Sequence, residues 1–155
     1  MNRTKQIVDR GLRIVLVALM GASVVNVLWQ VLRRFILGAP SSFTQELARF
    51  LLIWIGVLGA GYTVGTREHL ALELVPEQLE GATQARLRIV IQSFIVLFAA
   101  AVMIVGGSRL VYVQLTLGQT SASLNIPIGL VYVVLPLTGV VMVFYSAVYI
   151  QARLQ

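Results

Sequence analysis

The sequence predicts an all-α membrane protein: four transmembrane helices, with a short interfacial helix between the second and the third. Three observations predict it. The first is a set of uncharged apolar runs, between Arg13 and Arg33, Arg49 and Arg67, Arg88 and Arg109, and Arg109 and Arg153. Crossing the hydrocarbon core of a bilayer takes about 20 apolar residues in a helix, so each of the first three runs suits one span. The last run is too long for one crossing and is broken by the polar stretch Gly118-Gln119-Thr120-Ser121-Ala122-Ser123-Leu124-Asn125. It therefore divides into the end of a third span, a loop and a complete fourth span. The second observation is composition: the chain is 58% hydrophobic and 12% charged, whereas a soluble domain carries about 25% charged residues. The third is the placing of the basic residues. The net charge is +6, yet the cations are scattered at helix ends and gather on no single face. Basic residues so placed set orientation and meet anionic headgroups. Membrane lipids are thus expected partners and nucleic acid is not.

The elements follow in order within one integral membrane domain, residues 1–155. The first span is expected at about 12–35. Arg3, Lys5, Arg10 and Arg13 precede it as in a signal peptide, but a cleavable apolar region is 7–15 residues long. This run continues to Arg33-Arg34 and reads as an uncleaved span. Gly38-Ala39-Pro40-Ser41-Ser42 makes a turn. Ser42 followed by Gln45 is a capping-box pattern, which starts the second span near Phe43, at about 43–66. Between Arg67 and Arg88, Pro76 suits the first turn of a helix. Glu77 and Glu80 favour the helix N-terminus that follows it, and a short interfacial helix is expected there. The third span is expected at about 85–117 and the fourth at about 127–151. Pro136 in mid-span should bend the fourth, because it removes one backbone hydrogen bond and crowds the preceding turn.

Arginine and lysine counts orient the bundle. Arg3, Lys5, Arg10, Arg13, Arg67, Arg86, Arg88 and Arg153 fall on one side; Arg33, Arg34, Arg49 and Arg109 fall on the other. The bias of eight to four puts both termini in the cytoplasm, with outer loops around Ala39 and Ser121.

The chemistry that the chain lacks is as informative. With no cysteine and a single histidine, His69, it holds no thiolate metal site, no disulfide and no bis-histidine haem. No catalytic, cofactor or metal site is expected, and His69 reads as a cap on the second helix or a hydrogen-bonding contact at the cytoplasmic interface. The four apolar cores contain no Asp, Glu, Lys or Arg, whereas an ion-coupled carrier usually keeps an ionisable group there. Asn26, Gln30, Gln92, Ser93 and Gln114 remain, and read as polar contacts between helices, worth about 0.6–2 kcal/mol each. Glu46 and Arg49, at i,i+3, can pair at the head of the second helix or serve as a docking point for a partner subunit. Gly56–Ala60 and Gly61–Gly65 are small-xxx-small pairs, which let helix backbones approach closely. They serve packing within the bundle or contact with another subunit, and Gly106-Gly107 poses the same choice.

Glu46-Leu47-Ala48-Arg49, then Trp54, Gly59 and Ala60, then Arg67-Glu68-His69-Leu70-Ala71-Leu72-Glu73 form an ordered series. Ser121-Ala122-Ser123-Leu124-Asn125-Ile126-Pro127, Tyr132 and Pro136 continue it. Over about 41–136 this series resembles the small membrane subunit (Q-type) of tripartite ATP-independent periplasmic (TRAP) transporters. Glu73 stands where the family pattern suggests Asp, which keeps the charge. The resemblance implies a non-enzymatic subunit of a sodium-driven uptake system for organic acids in the bacterial inner membrane. It implies two partners: a large membrane subunit holding the sodium and substrate sites, and a periplasmic solute-binding protein. The small subunit would extend the scaffold against which the large subunit's elevator domain moves, and would help receive the binding protein. The candidate interface residues are then Glu46, Arg49, Trp54, Gly56, Gly59, Ala60, Arg67, His69, Glu73, Pro127, Tyr132 and Pro136. Two other readings compete, a stand-alone four-helix transporter and a structural membrane protein unrelated to transport.

Overall fold

In a computed structural model, the structure describes residues 3–36, 38, 41–66 and 82–154. Four helical stretches among them are long and apolar enough to cross a membrane: Lys5–Phe35, Ser42–Gly65, Ile89–Thr116 and Ile128–Val148. The all-α, four-span expectation holds. The expected helix from Pro76 lies outside the described residues.

Helix α1 spans Arg3–Phe35. It begins well before the expected boundary, because its first turns are amphipathic: Lys5, Asp9 and Arg13 recur every fourth residue and so share one face. Helix α2 spans Ser42–Thr66 and pairs with α1 as an antiparallel hairpin. The helix starts one residue earlier than the capping pattern implied, leaving Ser41 at the flanking position. The Ser41 carbonyl accepts both the Thr44 hydroxyl at 3.0 Å and the Gln45 N–H at 3.3 Å.

The third span consists of α3 (Ala82–Phe98), a π-helical stretch (Ala99–Gly106) and α4 (Gly107–Thr116). A π-helix of this length is unusual, since most are single-turn bulges. The fourth span packs directly upon it. A Cβ on Gly139 would come within 2.9 Å of Met103 Cβ and 3.1 Å of the Ala99 carbonyl oxygen. The missing side chain at Gly139 lets the two backbones meet here.

After α4 the chain closes in a Schellman turn: Gly118 N–H bonds to the Leu115 carbonyl and Gln119 N–H to the Gln114 carbonyl. Gly118 has φ +61°, a conformation that costs glycine nothing and other residues strain. An isolated antiparallel bridge between Thr120 and Pro127 then folds the connection into a small hairpin-like loop.

The fourth span is α5 (Ile128–Tyr132) followed by α6 (Val134–Leu154). The helix is interrupted at Val133, three residues before Pro136. Proline has no N–H to give the Tyr132 carbonyl, so the regular ladder lapses one turn upstream. This span is the centre of the bundle. Of its most apolar stretch 39% is buried, against 6–11% in the other three. Val134, Thr138 and Ser146 are fully enclosed and Tyr145 nearly so. Helix α6 packs on α2, on α3 and on the π-helical stretch. The outer faces carry large exposed apolar side chains, among them Val17, Val25, Leu28, Leu52, Phe94 and Val105. That much exposed apolar surface suits hydrocarbon rather than water.

Candidate functional site

Helix α2 has a packed face and an exposed face opposite to it. Its inner face carries Leu58, Gly61 and Gly65, all buried. A Cβ on Gly61 would lie 2.5 Å from Thr138 Cγ2, and one on Gly65 would lie 2.5 Å from the Tyr145 ring. The Gly61–Gly65 pair is therefore internal packing, letting α6 come against the α2 backbone. The outer face carries Gln45, Arg49, Leu52, Gly56 and Ala60, all exposed. These residues recur at three- and four-residue intervals and so form one stripe along the helix. A Cβ on Gly56 or Gly59 would meet nothing within 4 Å. In the third span the same division falls between adjacent glycines. Gly107 sits against Leu135 and Pro136, where a Cβ would be 3.0 Å from each, while Gly106 is exposed.

At the head of α2, Glu46 reaches the loop between α4 and α5. Its Oε2 accepts the Ser123 backbone N–H at 2.8 Å. Ser121, beside it in the loop, is buried and organises the loop from within. Its N–H bonds to the Ile126 carbonyl at 2.9 Å, its carbonyl accepts Asn125 N–H at 3.0 Å, and its hydroxyl accepts Leu124 N–H at 3.3 Å. Asn125 takes φ 53°, a left-handed conformation that asparagine tolerates better than most residues. The in-helix pair with Arg49 is not the contact Glu46 makes. Among the described residues no ion pair joins the two, and Arg49 stays exposed on the outer stripe. Helix α1 meets the same end of the bundle through Asn26, whose Nδ2 donates to the Thr44 carbonyl at 2.8 Å with both residues buried.

Of the other residues singled out by sequence, Trp54, Gly59, Tyr132 and Pro136 are half-buried, and Pro127 is exposed at the flank of α5. Arg67, His69 and Glu73 lie outside the described residues. The structure thus gathers Glu46 and Pro127 at one end and sets Arg49, Gly56 and Ala60 on one outward face. Sequence reasoning missed the contacts at the opposite end. The Tyr145 hydroxyl donates to Asp9 Oδ1, and an Arg13 guanidinium nitrogen donates to the Tyr62 hydroxyl at 3.3 Å. The spacing of Lys5, Asp9 and Arg13 was the available signal. Gln92, read as helix glue, does join two helices: its Nε2 donates to Ser146 Oγ at 2.5 Å.

The family described as tripartite ATP-independent periplasmic transporters, DctQ component, matches residues 23–155. The chain is 26% identical over 136 residues to the sialic acid TRAP transporter small permease protein SiaQ of Vibrio cholerae, covering 84% of this chain and 79% of that one. It is also 30% identical over 100 residues to the isethionate TRAP transporter permease protein DctMQ of Oleidesulfovibrio alaskensis. That match covers 64% of this chain but only 16% of the longer relative. With the family matched over most of its length on a four-span helical fold, the chain belongs to the DctQ family, the small membrane subunits of TRAP transporters.

Proposed function

We propose that this subunit is the scaffold half of a sodium-driven uptake permease for organic acids, and that the outward stripe of α2 is where the large membrane subunit docks. The observation that carries the reading is the open surface at Gly56, Gly59 and Ala60. Among the described residues a Cβ at Gly56 or Gly59 would meet nothing within 4 Å and Ala60 is exposed, although their spacing suits close contact with another helix. The absence of ionisable residues from the apolar cores agrees with it. A scaffold needs no ion site of its own, whereas a carrier would normally hold one there. The DctMQ relative, in which the matched segment is a small part of a much longer permease protein, supports a large membrane partner. SiaQ and DctMQ are named for sialic acid and isethionate, both organic acids, which supports that substrate class. The solute-binding protein would be received at the end carrying Glu46 and the 117–127 loop, with both termini on the opposite, cytoplasmic side.

Reconstitution tests this. The chain alone in liposomes should move no organic acid under a sodium gradient, and uptake should appear when the large subunit and the binding protein are supplied together. Sodium-driven uptake by the chain alone would establish the stand-alone transporter instead.

A further inference from the structure

The first turns of α1 sort their charges by face. Lys5, Asp9 and Arg13 look into the bundle. Asp9 accepts from Tyr145, the Lys5 ammonium lies 6.0 Å from the centroid of the same ring, and Arg13 bonds to Tyr62. Arg10 lies on the other face. It is exposed and makes no hydrogen bond or ion pair among the described residues. There it borders a groove of about 520 Å³, lined among the described residues by Gln6, Ile7, Gly11 and Ile14 as well. Gly11 is the notch in this groove, since a Cβ on it would meet nothing within 4 Å. Ile7 and Ile14, 72% and 63% exposed, flank the notch with apolar surface. The only acidic side chain of α1 is Asp9, and it is occupied on the far face.

We propose that this groove is a binding site for one anionic phospholipid. The lipid phosphate would meet the Arg10 guanidinium and the Gln6 amide, and an acyl chain would lie over Gly11 between Ile7 and Ile14. Charge complementarity selects the occupant. The groove offers a cation at the rim and apolar surface beneath, in the first turns of a membrane span, where headgroups give way to chains. Arginine suits the role because its planar fork can hold a phosphate by two parallel hydrogen bonds. A purely apolar partner helix laid here would strand the guanidinium, whereas a lipid brings its own counter-charge. The site stands apart from the α2 stripe and does not depend on the transport reading.

Native mass spectrometry of the full-length chain in mild detergent tests it, with phosphatidylglycerol and phosphatidylcholine of matched acyl chains as probes. The wild-type chain should retain phosphatidylglycerol in preference. Arg10→Gln should lower that preference about fivefold, the equivalent of what one basic residue contributes at an anionic surface. Arg34→Gln, the same charge change at the far end of α1, should leave it in place. Gly11→Leu should reduce retention by filling the notch, and excess glycerol 1-phosphate should not displace the lipid. Three results would each overturn the proposal. Equal losses in Arg10→Gln and Arg34→Gln would mean that only net charge matters. Full retention in Gly11→Leu would mean that no chain lies in the notch. Displacement by glycerol phosphate would mean that the occupant is a soluble phosphate ester.

Discussion

Glu46, one turn into α2, holds the backbone N–H of Ser123 at 2.8 Å across 77 residues of sequence. This contact ties the head of one hairpin to the loop of the other. A carboxylate has only acceptor oxygens when ionised, and an unpaired loop N–H is the donor it finds. Glu46→Ala should therefore speed hydrogen exchange at the Ser123 amide, while Glu46→Gln, which keeps an acceptor oxygen, should largely preserve its protection. Exchange measured by mass spectrometry on the full chain reads this directly. Unchanged protection in Glu46→Ala would remove Glu46 as the anchor of the loop.

The two faces of α2 should respond differently to enlarged glycines. Gly65→Ala pushes a methyl into the Tyr145 ring, and Gly61→Val crowds Thr138. Overpacking of this kind costs typically 1–3 kcal/mol. Both should lower the thermal stability of the isolated chain in detergent, read by loss of monodisperse protein on heating. Gly56→Val meets open space and should leave that stability within about 0.5 kcal/mol. On the docking proposal it should weaken co-purification with the large subunit. Normal assembly of Gly56→Val would place the interface on another face.

Asn26 offers a separate test of the first hairpin. Asn26→Leu removes the hydrogen bond to the Thr44 carbonyl, at an expected cost of about 0.6–2 kcal/mol. Thermal unfolding in detergent should show a measurable loss, with four spans still formed. No loss would mean that the Thr44 carbonyl finds another donor.

The basic bias predicts orientation. Compartment-specific reporters fused after Gln155 and within 41–42 should report opposite sides, with Gln155 cytoplasmic. A common compartment for both would exclude the arrangement proposed for the termini.

The four spans could be read from the sequence because each is a one-dimensional quantity, an uncharged apolar run long enough to cross a bilayer. Pro136 was legible for the same reason. The lost N–H acts on its own helix, and the interruption at Val133 follows locally. The existence of a small-residue helix was also plain, as was the helix-joining character of Asn26 and Gln92. Only the tertiary structure decided which glycines face inward. Gly56 and Gly61 are alike in sequence, and the difference between them is the position of Thr138, far along the chain. It also decided the partner of Glu46. Helical spacing offered Arg49 one turn away, but the folded loop sets a backbone donor against the carboxylate. The π-helical stretch and the contact between Asp9 and Tyr145 were hidden for the same physical reason. Local sequence determines which stretches become helices, whereas their faces acquire meaning only when other helices are packed against them.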